Sequence, residues 1–385
     1  MAGGAGALTF GLPRMHKEAG ERRDFLPSLV GKLAHRGVDV FVEGGIGSGL
    51  GLRDQDYTDL SPLVHVVGNE DAFRADVVLM LRCPDESEFV KLRPGSILFA
   101  MLHLPTRPKR VRLLRELGIE GISMDSITDD GGRRLVVDSR DVAWNGVEAA
   151  FDALERGWPE LTDPGRGAVR VTVLGPGEIG KHAVEAATKY GNLERAARFA
   201  HEGVSGVEVV VVGRNLTARE AYMRARLRET DVLVDASQRD DPSVPLIPQA
   251  WVAELPPHAV VCDLVVDPYL LEANPPTVRG IEGIPQGNLD RYVFDVDDPA
   301  WDELPRQIPA TERRPVVSCY SWPRVHPKRC IELYWRQLAP LLETLIDRGG
   351  FERIRPDGSF HERALYRGSL RAWLHPEPIQ VLVEA

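Results

Sequence analysis

Hydrophobic positions in the first third of the chain come in short blocks separated by amphipathic stretches. Residues 8–12 and 38–42 read as strands, and residues 25–36 between them carry apolar positions at helical spacing. Residues 75–81 and 96–102 are nearly unbroken apolar runs, the second following an Arg93-Pro94-Gly95 turn. Strands covered on both faces have this composition because neither side meets water. A helix over 111–117 and a strand over 120–124 continue the alternation, which predicts a parallel sheet with helices on both faces. Further on, Val147, Phe151 and Leu154 make a one-sided stripe, the mark of a connecting helix over 141–157, and the Pro/Gly-rich stretch 158–167 reads as the loop after it.

A strand over 171–174 then runs into Gly175-x-Gly177-x-x-Gly180, and a helix-compatible segment over 181–190 follows. A dinucleotide site needs that order. The first Gly permits the tight turn, the second lets backbone approach a pyrophosphate, and the third lets the helix pack close to the strand. Glu178 and Ile179 fill the positions before the third glycine, and an extra helix-like piece lies around 193–200. Strands follow at 207–212, 232–235 and 259–266. The first of these ends in Gly213-Arg214-Asn215, where a site for an unphosphorylated ribose carries an acid. An Arg there suits a ribose 2′-phosphate, so NADP(H) is expected over NAD(H). After Tyr320-Ser321-Trp322-Pro323, which either closes over a site or packs, Pro327 opens a helix toward Arg348 with an expected kink at Pro340. The tail from Phe351 carries no readable pattern.

These elements predict an α/β chain of two Rossmann-like, doubly wound domains with an interdomain active-site cleft. Residues 1–140, completed by 315–385, form the expected substrate domain, and 141–314 the dinucleotide-binding domain. Composition narrows the partners. A net charge of −10 over 385 residues argues against a nucleic-acid surface. Cys83, Cys262, Cys319 and Cys330 lack metal-ligand spacing and sit in apolar contexts, so reduced buried thiols and no metal are expected. The N-terminus lacks a signal-peptide layout and no apolar run reaches membrane-spanning length, which predicts a cytoplasmic chain with no membrane partner.

Several motifs in order resemble one family. They are Gly20-Glu21-Arg22-Arg23 ahead of Leu26-Pro27, the glycine turn from Val42 to Gly49 followed by Asp54-Gln55-Asp56-Tyr57, Leu102-His103-Leu104 after an apolar strand, and the segment from Asp263 to Asp267. With the glycine fingerprint, this layout resembles the alanine dehydrogenase and transhydrogenase superfamily over roughly residues 8–345. Within it the chain is most similar to carboxyethyl-ornithine synthase, with saccharopine dehydrogenase a further relative. The resemblance implies a catalytic His at His103 and a catalytic Asp at Asp267, with Asp263 four residues away as the competing match. It implies a carboxylate-binding arginine at Arg23, with Arg22 as the alternative. Where alanine dehydrogenases place a Lys before a Pro, this chain has Arg82-Cys83-Pro84. An Arg holds a carboxylate bidentately but donates no proton at neutral pH. Asp125, after a strand, is a candidate contact for a substrate amine.

The expected chemistry is NADP(H)-dependent oxidation and reduction at a C–N bond. In the leading reading an α-keto acid such as pyruvate condenses with an amino acid or amine, and the imine is reduced. His103 would handle the proton, Asp267 would face the iminium, and Arg23 and Arg82 would hold carboxylates. The alternatives are alanine dehydrogenase-type oxidative deamination and saccharopine dehydrogenase-like cleavage; a nucleotide-sensing protein that keeps the fold is a rival of another class. Small amino and keto acids are the expected partners, and the resemblance allows a homo-oligomer without setting a subunit count.

Overall fold

The computed structural model describes residues 8–15, 24–163 and 165–375. The chain divides into two compact units, one running to Val137 and resuming at His326, the other spanning Asp138–Val325.

The first unit holds six strands: β1 Phe10–Leu12, β2 Val40–Glu43, β3 Val64–Val67, β4 Val77–Arg82, β5 Ile97–Met101 and β6 Glu120–Ser123. Their order in the sheet is β3-β2-β1-β4-β5-β6 and every pairing is parallel. This is the doubly wound order, in which the strand order reverses between β1 and β4 while the strands stay parallel. Successive residues of β4 explain its apolar run. Val77, Leu79 and Leu81 enter one core with Phe10, Val40 and the helix Pro27–His35, while Val78 and Met80 enter another with Phe73, Leu98 and Leu114. The late helix Pro327–Arg348 passes through Pro340 as one element and packs Ile331, Leu338, Leu342 and Leu345 into the first core. The tail that the pattern left blank forms helices Phe360–Arg367 and Leu370–Leu374, and Leu370 joins the second core.

The second unit holds β7 Val169–Leu174, β8 Val207–Val212, β9 Val232–Asp235, β10 Val260–Asp263, β11 Val293–Phe294 and β12 Val316–Ser318, ordered β11-β12-β10-β9-β7-β8. Only β11 runs antiparallel. Among the described residues β8 is an edge, with no further strand beyond the second one. The extra helix expected near 193–200 is Leu193–Glu202, held by the buried Arg195 to Glu155 (3.1 Å), to Asp152 and to the Tyr190 carbonyl. The long helix Ser139–Gly157 packs on this sheet. One expectation shifts: the strand foreseen over 259–266 stops at Asp263. Its carboxylate accepts the backbone N–H groups of Val265 and Val266, and Val266 turns left-handed (φ 54°), so the chain leaves the sheet there. Trp322 is core: its Nε1 donates to the Asp263 carbonyl at 2.8 Å.

Candidate functional site

In parallel sheets functional groups collect beyond the carboxyl ends of the strands, and both units place candidate residues there. In the first, Arg82 is the last residue of β4 and pairs in register with Met101 of β5. Two residues past β5 stands His103, half-exposed, with its backbone left-handed at φ 50°, ψ 45°. Nothing about a bare His requires that conformation, so the surroundings must impose it. Arg110 donates to the Leu102 carbonyl at 2.5 Å, Ser123 Oγ receives the Leu102 N–H at 3.2 Å, and Asp125 Oδ1 receives the His103 N–H at 3.1 Å. The same Asp125 faces the imidazole, with Oδ2 3.4 Å from Nδ1, and accepts the Ser123 hydroxyl at 2.8 Å. Burial alone would raise the Asp125 carboxyl. The hydrogen bond and charge of His103, with the Ser123 hydroxyl, overcome that and hold it well below the usual carboxylate range. Asp125, expected at a substrate amine, is thus the partner of His103. Arg14, two residues past β1, went unremarked in the sequence; its Nη2 donates to Ser48 Oγ at 3.1 Å beside the Gly45 turn. Arg23 and its alternative Arg22 lie outside the described residues.

In the second unit the fingerprint forms the expected turn. Gly175 takes φ 100°, a conformation that needs glycine, and its N–H bonds the Val212 carbonyl at 3.0 Å. A β-carbon on Gly180 would sit 2.0 Å from the Gly175 oxygen, so only glycine lets the helix Glu178–Ala187 come this close to β7. Space around Gly177 is open, and no side chain caps the helix start, leaving its first backbone N–H groups for an anion. These residues fit a dinucleotide pyrophosphate. Glu178 is exposed and pairs with Lys181, and Ile179 is half-buried at the edge of the core.

Arg214 follows β8 as expected, but it has a partner that the motif did not reveal. Its Nη1 lies 2.5 Å from Asp240 Oδ2, and its Nη2 donates to the Gln238 carbonyl at 3.3 Å. Asp267 lies in the loop beyond β10 rather than on the strand, and there it pairs with Arg239 at 2.6 Å. Asp263 is a buried structural acid, paired with Arg279 at 2.6 Å, which also donates to Ser318 Oγ at 2.9 Å. Beside it Asp235, wholly buried, is pushed up to about 7 by desolvation and by the Asp263 charge, against hydrogen bonds from Ser237. Asp235, Arg239, Asp240 and Arg279 were all missed by sequence reasoning. For Asp235 the signal was available: an acid that closes an otherwise apolar strand.

The alanine dehydrogenase/PNT N-terminal domain family matches residues 11–139. The chain is 23% identical over 275 residues to the alanine dehydrogenase of Bacillus subtilis, covering 68% of this chain and 71% of that one. It is 26% identical over 272 residues to that of Mycobacterium tuberculosis strain H37Rv, covering 68% and 73%. In fold it is similar to a solved L-alanine dehydrogenase, with a TM-score of 0.70, 21% identity and 94% of each chain covered. It is also similar to a transhydrogenase from Sinorhizobium meliloti, with a TM-score of 0.58, 20% identity, and 87% and 94% covered. The matched residues include the turn after β2, the end of β4 and the His103–Asp125 pair, so residues 11–139 carry the alanine dehydrogenase/PNT N-terminal domain and the chain as a whole is similar to alanine dehydrogenases.

Proposed function

We propose that the protein is a nicotinamide-dinucleotide-dependent oxidoreductase acting on the CH–NH group of a small amino acid, in the manner of an amino acid dehydrogenase. The observation that carries this reading is a histidine locked to a largely buried aspartate at the carboxyl edge of one sheet, in a chain whose second sheet carries a turn that fits a pyrophosphate. With Nδ1 turned to Asp125, proton exchange with the substrate falls to the His103 Nε2. It takes a proton as the amino acid is oxidised and the intermediate carbinolamine breaks down, and returns it in the reverse direction. Asp125 stays ionised throughout and stabilises the imidazolium. Arg82 holds the substrate carboxylate with a planar fork, which fixes the reacting carbon in one orientation. A bound dinucleotide supplies the hydride acceptor or donor. Arg214, the residue suited to a 2′-phosphate, would hold its adenosine end, and the proposed setting is the cytoplasm.

A second reading rests on Arg82. An arginine cannot donate a proton where alanine dehydrogenases carry a Lys, which favours reductive condensation of a keto acid with an organic amine, as in carboxyethyl-ornithine synthase. The alanine dehydrogenase relatives put this reading second. The deciding experiment follows dinucleotide oxidation with pyruvate plus ammonia, ornithine, lysine or short diamines, using NADH and NADPH in parallel. Turnover with ammonia supports the first reading, and turnover that requires an organic amine moves the assignment to the second. A purified protein that binds dinucleotide but oxidises it with no pair would sink both.

A further inference from the structure

The adenosine end of the second unit contains an acid where none is expected. Sites for an unphosphorylated ribose place a carboxylate at the end of the second strand, and β8 offers none. The structure brings one in from elsewhere. The loop after β9 lies directly on the fingerprint turn, since a β-carbon on Gly175 would meet the Ala236 oxygen at 2.7 Å and the Ser237 Cα at 2.9 Å. Continuing outward, that loop carries Gln238 and Asp240 to the guanidinium of Arg214. Because β7 lies between β8 and β9, the Arg214–Asp240 pair bridges the two strands that flank the fingerprint strand, on their carboxyl side.

We propose that Asp240 is a specificity-determining residue for the dinucleotide: it occupies Arg214 in place of a ribose 2′-phosphate and offers a ribose 2′-hydroxyl the acceptor that β8 lacks. The inference rests on the second unit being a dinucleotide domain. A 2′-phosphate reaching Arg214 must displace a carboxylate already seated there and tolerate its charge nearby. A plain ribose does neither, and its hydroxyl donates to the same carboxylate. The pair is open to solvent, with side chains 64% and 76% exposed. Exchange between the two states is therefore cheap, and Asp240 grades the preference without blocking either cofactor.

The test is a set of NADH and NADPH titrations, read by nicotinamide fluorescence, on the wild-type chain, Asp240→Asn, Arg214→Gln and the double variant. Asp240→Asn is expected to tighten NADPH relative to NADH by about fivefold, equivalent to roughly 1 kcal/mol. In the Arg214→Gln background the same substitution should lose most of that effect. An unchanged ratio in Asp240→Asn overturns the proposal. An equal shift with and without Arg214 also overturns it, because the charge would then act without the pair. If neither dinucleotide binds the wild-type chain, the dinucleotide-domain reading fails and takes the proposal with it, a pattern distinct from the other two. Asp240→Asn is a surface change, and circular dichroism of each variant verifies that the fold is kept.

Discussion

His103 and Asp125 share one proton's worth of chemistry, and their geometry fixes how each should fail. Asp125→Asn keeps the side chain's size but removes the charge that stabilises an imidazolium. Turnover is expected to fall about tenfold or more while dinucleotide affinity, read in a separate unit, holds. At position 103 the left-handed backbone matters as much as the ring. The His103 β-carbon already sits in a conformation that Asn tolerates better than Ala does, so His103→Asn is the cleaner deletion of the base. Asp125 and Asp235 differ in sign with pH. Asp125 sits below its ordinary range, so its contribution is complete above about pH 4 and is lost on further acidification. Asp235 sits above its range, at about 7, so the folded state holds a proton that the unfolded state has released. Stability therefore falls as pH rises from about 4 to about 7. Asp235→Asn is expected to flatten that decline, which urea denaturation at a series of pH values across the interval measures. A decline equally steep in the variant would remove Asp235 as its source.

At the scale of elements, the close approach of the helix Glu178–Ala187 to β7 depends on a missing side chain. Gly180→Ala forces a methyl against the Gly175 oxygen, and is expected to cost about 1–3 kcal/mol of stability. Dinucleotide binding should be lost with it; thermal melts and the fluorescence titration report the two separately. This element was legible because three glycines, an apolar strand and a helix coincide in sequence. The runs that became β4 and β5 were legible for a similar reason, since each face of the strand meets its own core. What escaped was set by partners distant along the chain. Nothing near Arg214 announces Asp240, 26 residues on, and nothing near Asp267 announces Arg239, 28 residues before it. The end of β10 was overrun because Val265 and Val266 are good strand formers, while the Asp263 side chain that stops the strand competes only once it is folded. His103 could be picked out from its place after an apolar run, but its tie to Asp125 needed β6 beside β5.

At the scale of the whole molecule, the first unit is assembled from two distant stretches of chain. The helix Pro327–Arg348 lays Ile331, Leu338, Leu341, Leu342 and Leu345 into the core built on β1, β2 and β4. At roughly 1.5–3 kcal/mol for each large buried side chain, that helix supplies on the order of 10 kcal/mol of burial. A chain ended at Val325 is expected to lose the first unit's cooperative unfolding and become protease-sensitive before Val137. The second unit should survive, because its elements all lie within Asp138–Val325. Calorimetry and limited proteolysis would check both halves of that expectation, and two intact transitions would refute it. The same layout orders events on the ribosome. Strands β1 to β6 emerge first, yet the helix that covers one face of their sheet is translated only after the whole second unit. The second unit, inserted between them, can close completely while the earlier stretch still waits with apolar surface open to solvent. The part of the protein made first is thus the part finished last, and in that interval aggregation and chaperone capture have their opportunity.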